Sequence, residues 1–485
     1  MDCERLGKRY NKGEDILSRL PDDVLSHIFS HLEAKDAVKT SVLSSRFKDV
    51  WTLIYNLRFE FTRVGYELNR GTSFVNFVEF VLRHCQSNII QNFHLNTYND
   101  LRESDAACLI ELICFLVGRN VCSLKLKFNV LVFRPMIRLP QSILTCKSLV
   151  RLSLGFWDFV LDIPDSTVCF PCLKFLSIYV SCPNSNLMQK LFRSCPILEE
   201  LKIKGFVIMS EDALTFDINV PTLKKLKIYL RGYMDDGISY HKFVVRARNL
   251  EYLNFCNDFL TCFVLGETPF LNKVILYTKI STRFLPRPPN DEETERGAEL
   301  FRAISSTRFL SLDDILFSEL YHHRYGTLPS FPNLIHLYLG GDILYGIALM
   351  VRFLINSPNL EVLVLSKEYV YDKGEVMSEL ECAPSCMLLH LKEIYLFSVV
   401  RNDQDLEVIK WLLKNSKVLE RFSFHTLEII ENEQEMENME NEILNLPRAS
   451  PICKIEFFLY YSCKKTFLAE AHRSRESFDY AAFRL

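Results

Sequence analysis

Apolar residues return at the first, fourth and sixth positions of short segments along most of this chain. The pattern is seen in "LVRLSL" from Leu149, "LKFLSI" from Leu173, "LEELKI" from Leu198, "LKKLKI" from Leu223 and "LEYLNF" from Leu250. It resumes in "LIHLYL" from Leu334, "LEVLVL" from Leu360, "LKEIYL" from Leu391 and "LERFSF" from Leu419, with weaker copies from Ile90, Val121 and Leu271. Copies recur at intervals of roughly 25 residues, the sign of a stacked repeat. In a strand the fourth and sixth residues point to one side, and the third, fifth and seventh to the other. Each segment therefore predicts one strand that buries its apolar side only against stacked neighbours. "LMQKLFRSCPILEEL" and "VRFLINSPNLEVL" predict helical returns that stop before Pro196 and Pro358.

The first sixty residues have another period. In "LPDDVLSHIFSHL", Val24, Leu25, Ile28, Phe29 and Leu32 recur at helical spacing. Pro21 suits a first turn, and Asp22 and Asp23 suit the positive end of a helix. "DAVKTSVL" predicts a second short helix with Ala37, Val38, Ser41 and Val42 along one side. "SSRFKDVW" predicts a third, with Ser44 or Ser45 as N-cap. So small a cluster buries too little surface to stand alone, which predicts that its remaining apolar residues dock onto something.

Composition narrows the function. The chain has 485 residues, 48% of them hydrophobic, enough for a large core. Net charge is −3, so no basic excess points to nucleic acid or an anionic membrane. Sixteen scattered cysteines and an N-terminus without an apolar run predict a reducing cytoplasmic or nuclear compartment. "LIELICFLVG" is short of the ~20 apolar residues of a membrane span and contains Glu111.

Little of the sequence suggests catalysis. His27 and His31 are one helical turn apart, but Ile28 stands where a metalloprotease helix has glutamate. Cys169 and Cys172 form a C-x-x-C without a second pair, which reads as core or turn thiols. No Gly-rich phosphate loop and no nucleophile elbow occurs. No metal, no cofactor and no enzymatic activity are expected.

Residues 16 to 59 resemble an F-box as found in plant F-box proteins: the Leu-Pro opening, "DAVKTSVLS" and Trp51 all match, with Phe47 where the family has tryptophan. The resemblance implies docking onto a Skp-type adaptor of a cullin-RING ubiquitin ligase. Its implied docking residues are Leu20, Pro21, Val24, Leu25, Ile28, Phe29, Leu32, Val38 and Val42. The repeats resemble leucine-rich repeats of an irregular plant type. Trp157, Ser181, Phe206 and Arg231 stand where such repeats carry a turn-bonding Asn or Cys, which predicts that no side-chain ladder forms. "CAPSCMLLHLKEIYLFSV", "LEVIKWLLKNSKVLERFSF" and "LPRASPICKIEF" resemble pieces of the FBD domain, and the acidic run "ENEQEMENMENE" between them reads as a solvated face or loop.

The expected fold is therefore α/β: a small three-helix F-box, then an irregular leucine-rich-repeat solenoid ending in an FBD region. The expected divisions are a disordered N-terminus at 1–15, the F-box at 16–60, repeats at 61–381, FBD at 382–458 and a tail at 459–485. Residues 283–297 read as an exposed loop. The function implied is substrate recognition in an SCF-type ubiquitin ligase, with a non-degradative binding scaffold as the alternative. Positions three, five and seven of the central strands place Lys202, Lys204, Lys225, Lys227, Tyr229 and Tyr252 on the open face, with His336 and Tyr338 further along. These are the candidate target-binding residues, for an acidic or phosphorylated segment; the alternative is an ordinary solvated surface.

Overall fold

The structure is a computed structural model. It describes residues 17–61, 71–97, 103–128, 137–155, 159–160, 162–164, 169–181, 185–208, 215–233, 242–256, 263–278, 298–314, 328–340, 343–366, 383–397, 403–426 and 433–459. The expected N-terminal segment 1–15, the loop 283–297 and the tail beyond Leu459 lie outside the described residues. Two compact units meet in the sequence at Asp162 and Ile163.

The first unit opens with three short helices, α1 (Asp22–Phe29), α2 (Ala34–Lys39) and α3 (Phe47–Val50). The Ser44 hydroxyl accepts from the Arg46 N–H at 3.3 Å, just ahead of α3. Leu25 and Ala37 are fully buried, and Phe29 meets Phe47 edge-on at 5.4 Å. The aromatic at position 47 thus fills the core that the helices share. β1 (Asn56–Phe61) follows directly, then α4 (Gly71–His84), β2 (Asn92–Thr97), α5 (Glu103–Gly118), β3 (Ser123–Phe128) and β5 (Arg151–Gly155). β1, β2, β3 and β5 form a parallel ladder in that order, while β4 (Ile137–Arg138) and β6 (Phe159–Val160) pair beside it. β1 belongs to the repeats: Ile54, Leu57 and Phe59 are the first, fourth and sixth residues of the segment 54–59 that leads into it, all buried. The end of the F-box stretch is therefore also the first rung.

The second unit continues the pattern with β7 (Phe175–Ser181), β8 (Glu200–Ile208), β10 (Lys225–Tyr233), β12 (Tyr252–Cys256) and β14 (Lys273–Thr278). Next come β15 (Phe309–Asp314), β16 (His336–Gly340), β17 (Val362–Ser366), β18 (Glu393–Phe397), β19 (Arg421–Thr426) and β20 (Lys454–Leu459). All are parallel, neighbour to neighbour, with third residue opposite third residue: Glu200 beside Lys225, Lys225 beside Tyr252, Glu393 beside Arg421. Leu198, Leu201, Ile203, Leu223, Leu226 and Ile228 are all fully buried. Each such side chain contributes roughly 1.5–3 kcal/mol when removed from water. The FBD-like stretch adds β18, β19 and β20 to the same ladder.

Returns differ by local pattern. α6 (Ser185–Arg193) turns Met188, Leu191 and Phe192 inward at helical spacing. The helix Ile343–Asn356 does the same with Met350, Phe353 and Leu354. Three central returns alternate instead, and form a separate parallel sheet of β9 (Thr215–Asn219), β11 (Lys242–Arg246) and β13 (Phe263–Leu265). Phe216 stacks on Phe243 at 4.7 Å, and Phe243 on Phe263 at 6.4 Å. The acidic run lies on the helix Glu433–Leu444, where Met439 and Ile443 face the core and Glu437 and Glu442 face solvent.

The side chains of Trp157, Ser181, Phe206 and Arg231, where no ladder is expected, lie outside the described residues. A different set of bonds lies at the turn before several of the strands. The side chain just ahead of the first leucine reaches a carbonyl of the preceding rung: Ser148 to Val121, Thr222 to Leu198, Asn249 to Pro221, Asn359 to Pro332. Short Ser, Thr and Asn side chains satisfy backbone acceptors at such turns without leaving it.

Candidate binding surfaces

The F-box helices present one face inward and one outward. Arg46 ties the entry to α1, with a guanidinium nitrogen 2.7 Å from Asp22 Oδ1 and another bond to the Leu20 carbonyl. On the inner side Trp51 stacks on Phe80 of α4 at 6.1 Å, and the Gln86 N–H donates to the Thr52 carbonyl at 2.8 Å. The outer side carries Val24, Ile28, Val42 and Leu43, the last two 87% and 77% exposed. Pro21 is exposed, and Leu20, Leu32 and Val38 are half-buried. Two of the expected docking residues are corrected: Leu25 and Phe29 point into the helical core, because a helix this short has only one side for its own packing. Leu43 joins the outward set, a residue that a stripe drawn at helical period omits because the chain tightens into a single turn at Thr40–Val42.

His27 and His31 bring ring nitrogens to 3.5 Å, and His27 Nδ1 lies 2.5 Å from the Tyr55 hydroxyl. Among the described residues no cluster of three or more His, Cys, Asp or Glu has metal-binding geometry. Cys169 is buried and Cys172 half-buried at the turn before β7. Among the described residues no helix is long and apolar enough to cross a membrane.

On the open face, β8 and β10 do bring the four lysines together. Lys202 stands beside Lys227, Lys204 beside Tyr229 and Lys225 beside Glu200. Their charges are partly spent within the chain. Lys227 Nζ lies 2.9 Å from Glu200 and 5.5 Å from the Tyr252 ring, and Lys202 sits 5.3 Å from the Tyr229 ring. Tyr229 is corrected from a contact residue to a buried one, 4% exposed, its hydroxyl pKa pushed up by burial. The lysine stems cover its ring, as long side chains do over apolar surface. Lys225 is exposed, while Lys202, Lys204, Lys227 and Tyr252 are half-buried.

His336 and Tyr338 do not join this patch. They lie on β16, four rungs from β10, about 19 Å at the usual strand spacing. Tyr338 is also corrected to buried: it packs with Val362, Val364 and Phe397, with Tyr395 against them. The imidazole of His336 is half-buried, and burial lowers its pKa. Further along, His425 is 1% exposed and stacked between Phe397 at 4.3 Å and Phe458 at 5.1 Å. Neither of its ring nitrogens has a hydrogen-bond partner, and burial drives its pKa down to about 4. Phe397, His425 and Phe458 escape the sequence reading because, beyond the central lysine-bearing strands, it took only His336 and Tyr338 from the open face. The same third, fifth and seventh positions find them.

An F-box domain model matches residues 17–59. The model for the LRR repeats of the FBD-associated F-box protein At5g56370 matches residues 109–264. Over these residues the chain is similar to an F-box and to the repeats of FBD-associated F-box proteins. Curated relatives extend the likeness over most of its length. The putative F-box/FBD/LRR-repeat protein At5g44960 of Arabidopsis thaliana is 27% identical, over 91% of this chain and 99% of the relative. The putative FBD-associated F-box protein At3g50710 of the same plant is also 27% identical, with the same two shares. The F-box/LRR-repeat protein At1g06630, again of Arabidopsis thaliana, is 27% identical over 84% of this chain and 96% of the relative.

Proposed function

We propose that this chain is the substrate-recognition subunit of an SCF-type ubiquitin ligase, docking a Skp-type adaptor through its F-box and holding a target protein on its repeats. The observation that carries the reading is the outward apolar set Val24, Ile28, Val42 and Leu43 on a module that matches an F-box. Such side chains cost free energy while they face water, and a partner that covers them recovers it. The chain makes no bond itself. It holds the target near a ubiquitin-charged enzyme elsewhere in the complex and so raises effective concentration. Residues 16–60 are the plug, 61–381 the repeats, and 382–458 an FBD region whose strands extend the same ladder. Lys202, Lys204, Lys225 and Lys227 offer a cationic surface for the target. The site of action is the cytoplasm or nucleus.

The test is co-purification. Full-length chain expressed in a plant cell with cullin activity blocked is expected to retain the adaptor and cullin. Val42→Asp with Leu43→Asp is expected to lose both while the melting temperature holds, since neither side chain is packed. Retention of wild-type adaptor binding in that double variant overturns the docking face. Absence of adaptor from the wild-type preparation overturns the ligase reading in favour of a non-degradative scaffold.

A further inference from the structure

The second residue of each rung, just ahead of its strand, belongs to a row of its own. Backbone hydrogen bonds of 2.8–3.0 Å tie this row together from Lys174 to Glu420. Its first stretch alternates in charge: Lys174, Glu199, Lys224, Glu251. Its last stretch alternates too: Glu361, Lys392, Glu420. The side chains use that order. Lys174 and Lys224 hold the Glu199 carboxylate at 3.0 and 3.2 Å, and Lys392 holds Glu361 at 3.2 Å. Between the two stretches stand Asn272, Arg308 and Ile335. Every other charged member of the row has an opposite charge beside it. Arg308 has a neutral amide on one side and an isoleucine on the other.

A groove of about 460 Å³ opens at this gap, across the turns that lead into β14, β15, β16 and β17. Ordinary ligand sites have about 300–1,000 Å³. Arg308 lines the groove and is exposed, and among the described residues no carboxylate pairs with its guanidinium. Phe270 stands in the same groove 62% exposed, and Pro332 is exposed there as well. Asn272, Asn333 and Ser306 add exposed amides and a hydroxyl. Asn333 donates to the Ser306 carbonyl at 3.4 Å, which leaves its amide oxygen to accept. No lining side chain is a carboxylate. All of these polar groups are open to solvent, within reach of an entering ligand.

We propose that this groove holds a short target segment with one isolated carboxylate beside an apolar side chain, the carboxylate on Arg308 and the apolar side chain against Phe270 and Pro332. The inference deepens the reading of the repeats as a target-holding surface and rests on it. The ligand's carboxylate takes the place that a glutamate fills elsewhere in the row. A guanidinium fork matches a carboxylate with two parallel bonds. The exposed amides suit a peptide, whose backbone offers a donor and an acceptor at nearly every residue.

The surrounding charge limits the ligand further. Glu251 and Glu361 stand two rungs from Arg308 on either side, about 10 Å at the usual strand spacing. They repel a run of acidic residues, a phosphodiester strand or an anionic membrane, each of which lays further negative charge over them. One carboxylate fits between them. A solvent-exposed ion pair contributes little by itself, so the site needs both parts of the ligand together.

The experiment uses the full-length chain and capped, labelled glycine–serine octapeptides read by fluorescence anisotropy. Each peptide carries one glutamate placed zero to three residues from one phenylalanine. Controls replace the glutamate with glutamine, replace the phenylalanine with serine, or surround the glutamate with further glutamates; a single-stranded oligonucleotide is the last. At least one spacing is expected to bind, to weaken with salt, and to exceed every control about tenfold or more, about 1.4 kcal/mol. Arg308→Glu is expected to lose that preference and to gain binding of the peptide with lysine in place of glutamate. Phe270→Ser is expected to lose the preference for phenylalanine. Both residues are exposed, so the melting temperature is expected to hold. No selective spacing, tighter binding of the polyacidic peptide or the oligonucleotide, or an unchanged preference in Arg308→Glu each overturns the proposal. Adaptor pull-down from the same preparation separates the two readings. Capture of adaptor without peptide selectivity removes only this inference; peptide selectivity without adaptor removes only the ligase.

Discussion

Trp51 lies over Phe80 with ring centroids 6.1 Å apart and planes tilted by 19°, joining the last turn of the F-box helices to the first helix of the repeats. The Cys85 thiol and the Gln86 N–H reinforce that joint from the end of α4, reaching the carbonyls of Ile54 and Thr52. The F-box here is not a bead on a string. A fragment ending at residue 60 leaves Trp51 and β1 without partners and is expected to give a collapsed, poorly dispersed NMR spectrum. In the full chain Trp51→Ala is expected to cost about 3–5 kcal/mol in urea unfolding, as truncation of a buried aromatic does. A well-dispersed fragment spectrum would show that the helices fold unaided.

The register of the rungs predicts a contrast between neighbours. Leu226 is fully buried while Lys225 beside it is exposed. Leu226→Ala is expected to cost about 2–5 kcal/mol by chemical denaturation. Lys225→Ala is expected to fall within about 0.5 kcal/mol of wild type, as exposed positions do. Comparable losses from both would remove the assigned register.

Gly205 occupies φ +141° on β8, and any Cβ there would run into the carbonyl of Val180 on β7. Substitution both strains the backbone and pushes two strands apart. Gly205→Ala is therefore expected to lower the melting temperature more than Leu226→Ala relative to the few atoms it changes. A melting temperature equal to wild type would mean that β7 and β8 do not approach so closely.

His425 predicts acid sensitivity. Its folded pKa of about 4 lies below the usual 6.5. The unfolded chain therefore binds more protons between these values, so stability is full above about 6.5 and is lost as pH falls toward about 4. The slope from one such group is at most about 1.4 kcal/mol per pH unit. His425→Phe keeps a ring between Phe397 and Phe458 and removes the titration. Its denaturation midpoint is expected to depend less on pH across that window than wild type, and an unchanged pH profile would place the acid sensitivity elsewhere.

Much of this architecture is legible from a linear pattern because its order is local. A rung needs only leucines at the first, fourth and sixth places, and stacking rungs in sequence order requires no long-range choice. The same rule applied to β1, β2 and β3 places Arg58, His94 and Lys125 on the open face, yet "IYNLRF" sits inside the F-box stretch and hides its second role. The F-box helices were legible too, from the helical stripe of Val24, Ile28 and Leu32.

Which stripe residues face out was not legible. Val24 and Leu25 are adjacent and equally apolar, and only the position of Phe47 and Ala37 in space turned one to the core and left the other to water. Alternation likewise places Tyr229 and Lys225 on the same face, but it cannot say that lysine stems from β8 lie across the tyrosine ring. Exposure is a property of what neighbouring strands put beside a residue, and those neighbours stand about 25 residues away in the chain. The same holds for charge. Lys227 reads as a free cation in its own segment, and becomes half of an ion pair only when register brings Glu200 to 2.9 Å. The sequence by itself determined the rungs, their order and their buried side; tertiary packing alone decided which open-face groups are covered, which are paired, and which are left to bind.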